Sequence, residues 1–303
     1  MPWVVGIDEA GYGPNLGPLV QAAVCLRLPD DDPAGWDALK LTVRRSHEPD
    51  DGRLLIDDSK KVYTRGGLVA LERGVWCGLG LRYTCVDHFT FAHAIETLPD
   101  LAAEPWYVPA DPLPVGEWEP HAGAGLPDVN GIAAVVPAPR FNRIVDEAGS
   151  KGVVLARGLV ALASQAAAQV PADGAPLLFS CDKQGGRNYY AAIVQQAFPD
   201  GWVVAEKESA AESRYRVEGL GRPVSITFRP RADGDSVAVA LASMLCKYLR
   251  EVCMRQFNRF WATHVPGLAP TAGYPSDAKR YYDAIRPAME KLGLAADQVW
   301  RKR

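Results

Sequence analysis

The segment Trp3-Val4-Val5-Gly6-Ile7-Asp8-Glu9-Ala10-Gly11-Tyr12-Gly13-Pro14 constrains this chain more than any other. Residues 3–9 alternate too little for a half-exposed strand and predict a buried one. That strand ends on two adjacent carboxylates and turns at once through two glycines. A strand end is a rigid mount for a reactive side chain. Two acids side by side are costly unless something positive stands beside them. A hard divalent cation, which prefers oxygen ligands, is the cheapest such partner. Gly11 and Gly13 let the backbone approach a ligand and offer it amides. Taken alone, the segment also reads as a strand followed by a solvated acidic turn.

Pro176 to Asp182 repeats this design, a buried strand with a terminal acid and then the Gly185-Gly186 turn. Adjacent strands of one sheet bring such ends together; a turn-forming aspartate is the other reading of Asp182. Asp233 and Asp235 stand just before a long helical pattern, Ser236 to His264, and by itself Asp235 reads as an acid favoured by the helix dipole.

The remaining pattern predicts strands at 19–28, 75–87, 202–206 and 224–229 and helices at 64–72, 150–170, 189–198 and 276–292, the last with Ser276 as N-cap. Strands come first and alternate with helices later, so the expected class is α/β, a mixed central sheet flanked by helices. One domain over 1–303 is expected, with insertions at about 30–52 and 98–140 and a C-terminal helical part at about 252–303. Within the second insertion Trp106, Tyr107 and Trp118 read as cover for an apolar face, with base stacking as the alternative.

Composition narrows the class. Apolar residues make up 48% and charged residues 23%, ordinary for a soluble globular protein. No apolar stretch of the length a membrane helix needs and no secretory leader is read, so no membrane association is expected. The six cysteines show no Cys-x-x-Cys spacing and read as buried, reduced thiols of a cytoplasmic protein. Net charge is −3, yet residues 228–303 hold 13 Lys/Arg against 7 Asp/Glu. A basic portion beside an acidic one suits a phosphate-backbone binder with a metal site, and equally a solvated helical surface.

Gly6 to Val20 resembles the opening signature of the ribonuclease HII family, with Tyr12 where the family's Gly-Arg-Gly turn has arginine. Arg231 to Glu251 resembles the family's second signature, aligning Ser243, Lys247, Arg250 and Glu251 with it and placing Asp233 on the fourth metal ligand, with Asp235 as the fallback. Asp57 to Lys61, Phe141 to Lys151 and Thr271 to Asp277 resemble three further family blocks, in the family's order.

The resemblance implies an RNase H-like fold and a metal-dependent endoribonuclease acting on RNA–DNA hybrids or on ribonucleotides embedded in DNA, leaving 3′-hydroxyl and 5′-phosphate ends. A non-catalytic hybrid-binding protein on the same fold is the alternative. Asp8, Glu9, Asp182 and Asp233 would hold two Mg²⁺ or Mn²⁺ ions. Gly11, Tyr12, Gly13 and Tyr274 would recognise the ribose, and Lys60, Lys183, Arg187 and Lys247 would contact phosphates. Tyr12 in place of arginine removes a cation, so affinity should fall and depend less on salt. The protein is expected to act as a monomer.

Overall fold

The computed structural model describes residues 1–81, 85–86, 98–116 and 126–302. Its centre is a seven-stranded sheet: β1 (Trp3–Ala10), β2 (Leu19–Arg27), β5 (Asn130–Val136), β6 (Leu177–Asp182), β7 (Trp202–Glu208), β8 (Ser213–Glu218) and β9 (Val224–Arg229), in the order β5-β2-β1-β6-β9-β8-β7. The β1–β6 and β6–β9 pairs are parallel and the other neighbours antiparallel. A two-stranded parallel ribbon, β3 (Val43–Arg44) with β4 (Leu54–Leu55), lies within and just after the first expected insertion. This is the mixed sheet with flanking helices expected from the sequence.

Helices cover both faces. On one face α1 (Ser59–Gly78) and α6 (Val237–His264) pack over Val4, Val20, Val24 and Val135. The other face carries α4 (Gly152–Gln169) and α5 (Ala191–Ala197) over Val5, Ile7, Phe179 and Phe228. The remaining helices are α2 (Leu98–Ala102), α3 (Ala138–Ala148), α7 (Pro275–Leu292) and α8 (Ala296–Val299). The far half of α6 packs with α7 and α8 around Trp106, Phe257, Trp261 and Tyr281. Trp106 meets Phe257 edge-on at 5.0 Å, so it covers an apolar face as expected. Trp118 lies outside the described residues.

Several expectations are corrected. The strand expected over 75–87 is helix through Gly78, since Leu71, Val75 and Gly78 share one helical face and outweigh the two-residue spacing of Cys77, Leu79 and Leu81. Residues 82–84 and 87 of that expectation lie outside the described residues. The helix expected over 64–72 spans 59–78, with non-helical backbone at Gly66 and Gly67. The second insertion does not reach 140, because Asn130–Val136 forms the sheet's edge strand beside β2 and α3 follows it. β8 was not expected; its sequence Ser-Arg-Tyr-Arg-Val-Glu alternates buried with exposed residues, the mark of a half-covered strand. The helix α7 begins at Pro275 with Tyr274 as N-cap, so Ser276 lies inside its first turn. The helix α4, 18 residues with mean hydropathy 1.2, is long and apolar enough to cross a membrane, which the sequence reading missed; here Leu155, Leu159, Leu162 and Ala166 are buried beneath it.

The close approach of α6 to β1 decides where the acids sit. A Cβ on Gly6 would fall 2.2 Å from the Ala238 carbonyl carbon and the Val239 nitrogen, so only glycine admits the helix there. Backbone cannot yield as a side chain can, so Gly6→Ala should cost about 3 kcal/mol of stability. The fall in the urea unfolding midpoint measures it; an unchanged midpoint would show that α6 can ride outward.

Candidate active site

Parallel pairing places the acids at one sheet edge. Ile7 stands beside Cys181 in register, so the next residues, Asp8 and Asp182, leave β1 and β6 side by side. Both share the α6 face with Val4 and Leu178, because side chains alternate along a strand. The strand β9, parallel to β6, runs to the same edge, and a turn carries the chain into the 3₁₀ segment Ala232–Gly234 holding Asp233. Arg231 takes a left-handed backbone (φ 61°) to make that turn, a strain of about 1–2 kcal/mol. The turn aims amides at Asp182: the Ala232 N–H donates to its Oδ1 at 3.1 Å, and the Arg231 and Lys183 amides donate as well.

Asp8 is 9% exposed. The Glu9 amide donates to its Oδ1 at 2.7 Å and the Ser243 hydroxyl to its carboxylate. Ser243 in turn hydrogen-bonds the Ser59 hydroxyl at 3.1 Å, tying α1 and α6 to the acid. The Cys246 thiol donates to the Asp8 carbonyl. Burial outweighs these donors and, with Asp182 and Asp233 adding repulsion, pushes Asp8 up to about 7. Burial, Asp8 and Asp182 raise Glu9 well above the ordinary carboxylate range. Asp182 is raised chiefly by burial, and Asp233 by burial, then Asp58 and Asp182. The Lys60 ammonium opposes the rise at Glu9, Asp182 and Asp233. Asp235 is exposed at the end of the 3₁₀ segment and is not among the groups that raise the other acids.

The four carboxylates therefore share one field, yet among the described residues no three His, Cys, Asp or Glu side chains stand close enough to hold an ion as they lie. Alternation accounts for part of this, since Glu9 leaves β1 on the face opposite Asp8. Like charges also favour separation.

The glycine turn lies beside these acids. Gly11 has φ +88°, and a Cβ there would meet Arg250 Nε at 2.5 Å and the Pro18 carbonyl at 2.6 Å, so glycine is obligatory. Gly13 is exposed with open space around it. Tyr12 is half-buried, with the Lys151 ammonium 4.6 Å from its ring centre. Burial and Glu9 raise its phenol, while Arg187 opposes them. Tyr274 is 48% exposed, and the Gly273 carbonyl before it accepts from Asn15 N at 2.8 Å, which pins that segment to the glycine turn.

The other cations expected at the site differ in their engagement. Arg187 donates to the Gly152 carbonyl, which keeps it near Tyr12. The Lys183 ammonium is held by Asn188 and the Ser209 carbonyl. Lys247 pairs with Glu251 at 2.8 Å and lies over the Tyr63 ring. Sequence reasoning passed over Asp58 and Ser59, although both lie in the Asp57–Lys61 block from which only Lys60 was singled out. It also missed Lys151 as a neighbour of Tyr12, for which no local pattern exists.

Folded Asp8 holds its proton up to about pH 7, whereas an unfolded aspartate releases it near 3.8. The folded state therefore binds more protons in that window, and stability falls as pH rises through it, by about 1.4 kcal/mol per pH unit at most for one group. Thermal melts of metal-free protein at pH 5 and 8 should show this fall, and Asp8→Asn should flatten it. A variant with the same slope would remove Asp8 as its source.

No family model and no curated protein matches the chain. Solved structures similar to it include the ribonuclease HII of Archaeoglobus fulgidus in its complex with PCNA, at 15% identity and TM-score 0.49, covering 99% of this chain and 94% of that one. Ribonuclease H2 from Pyrococcus horikoshii OT3 aligns at 14% identity and TM-score 0.45, over 98% of this chain and 92% of that one. Bst-RNase HIII in complex with Mn²⁺ aligns at 17% identity and TM-score 0.45, over 99% of this chain and 66% of that one.

Proposed function

We propose that this chain is a divalent-metal endoribonuclease of the ribonuclease HII kind, hydrolysing the RNA strand of RNA–DNA hybrids or cutting at ribonucleotides embedded in DNA. The products would carry 3′-hydroxyl and 5′-phosphate ends. The observation that carries this reading is the convergence of Asp8, Glu9, Asp182 and Asp233, from three separate segments, into one mutually repelling group. Their donor atoms are all oxygen, which suits two Mg²⁺ or Mn²⁺ ions, and cations relieve the repulsion.

Such ions, when bound, supply an ionised water for attack on phosphorus and stabilise the departing 3′-oxygen. The chain's own groups prepare the site. Asp8 and Asp182 would be the strand-end ligands, fixed by Ser243 and by the Ala232 amide. Glu9 and Asp233, both half-buried, would complete the set. The turn at Gly11 to Gly13 and the Tyr274 hydroxyl meet the 2′-hydroxyl, the group that distinguishes RNA from DNA. Lys60, Lys151 and Arg187 face the phosphates, so the region around Tyr12 retains positive charge although the residue itself has none.

Cleavage mapping on a duplex holding one ribonucleotide tests this. Mg²⁺ or Mn²⁺ should support a cut at that position and a chelator should abolish it. Asp182→Asn and Asp233→Asn should each lose more than about a hundredfold in turnover with the fold intact, while Asp235→Asn stays near wild type. Normal cleavage by Asp182→Asn would defeat the site assignment. Binding without cleavage by the wild-type protein would leave a hybrid-binding protein instead.

A further inference from the structure

Arg301 is a buried cation without a carboxylate partner among the described residues. It is 1% exposed, and its Nη2 donates to the Gly11 carbonyl at 2.6 Å and also to the Pro14 carbonyl. Its Nε and Nη1 have no hydrogen-bond partner among the described residues. Arg250, 3% exposed, lies against the other side of the turn, and Arg301's own burial, with the Arg250 charge adding to it, lowers Arg301 to about 9. Burying two guanidinium groups beside one short turn is expensive.

Docking of residues 296–302 does not need that cost. Asn142 already donates to the Asp297 and Trp300 carbonyls at 2.9 Å each and accepts from Lys302 N at 2.8 Å. The Arg301 backbone N–H donates to the Asn15 carbonyl at 2.8 Å, and Leu16 bridges to Trp300. What the guanidinium adds is direction. A trans peptide sets its C=O and N–H on opposite edges of one plane. With the Gly11 carbonyl drawn inward to Arg301, the Tyr12 N–H of the same peptide points away from it. No described residue accepts from that N–H.

We propose that Arg301 is a positioning residue for ribose recognition: it draws the Gly11 and Pro14 carbonyls inward and so presents the Tyr12 N–H to a ribose 2′-hydroxyl oxygen. This rests on the nuclease reading above and deepens it.

The test compares Arg301→Met with its parent in an Asp182→Asn background, so that no substrate is cut. Binding is measured to a duplex with one ribonucleotide and to its all-DNA counterpart. The preference for the ribonucleotide should shrink about tenfold, the worth of one hydrogen bond, while all-DNA binding holds. In ¹⁵N-tyrosine protein the Tyr12 amide, identified by its loss in Tyr12→Phe, should shift while other tyrosine amides stay. Arg301→Lys, which keeps the charge and one donor, should recover part of the preference; it carries the same comparison should Arg301→Met fail to fold. A folded variant with full preference overturns the proposal, as does equal loss on both duplexes. A parent protein without any ribonucleotide preference defeats the nuclease reading instead, and the Tyr12 amide still decides whether Arg301 sets the turn.

Discussion

Like charges buried at one sheet edge are the constraint around which this structure is arranged. Lifting Asp8 from 3.8 to about 7 corresponds to roughly 4 kcal/mol against its ionised form. The parallel run of β1, β6 and β9 leaves no alternative, because their ends arrive at the same edge. The fold answers with neutral donors, a serine hydroxyl on Asp8 and backbone amides on Asp182, and with the ammonium of Lys60. Donors of this kind blunt the repulsion without cancelling it. A chain arranged for stability alone would place apolar groups here, which is why the acids support the proposed binding of cations.

The same logic extends to the turn. Glycine at 11 lets Arg250 close from one side, and the Arg301 guanidinium takes carbonyls from the other. The turn is held through its acceptors, which leaves donors outward beside a cluster of acids.

The strands ending in Asp8 and Asp182 were legible in the sequence because each is an apolar run that stops at an acid and a glycine. The α6 pattern was legible for a similar reason, a long apolar run from Val237 to Cys246 that is buried on every side, followed by buried residues at helical spacing up to Trp261. Elsewhere the local signal was ambiguous. Cys77, Leu79 and Leu81 satisfy a two-residue spacing while Leu71, Val75 and Gly78 satisfy a helical one, and only packing of α1 on α6 decides between them. β5 lay hidden behind a proline- and glycine-rich stretch whose density suggested loop up to Pro139. Arg301 could not have been found, because its role depends on a contact 290 residues away in sequence.

Formal charge proved the least transferable signal. The excess of basic residues over 228–303 suggested a surface for a polyanion. Much of it is committed internally. Arg229 pairs with Glu212, Arg259 with Asp111, Lys279 with Asp283, Arg280 with Asp277 and Lys302 with Asp146. Arg250 and Arg301 are buried outright. Lys60 and Lys151, in contrast, make no ion pair among the described residues, and both lie near the acids or the glycine turn. A phosphate backbone responds to uncommitted cations within a Debye length of about 10 Å, not to a count along the chain. Lys60 at the start of α1 and Lys151 just before α4 place such charge beside the acids and the glycine turn, which the count along the chain did not reveal.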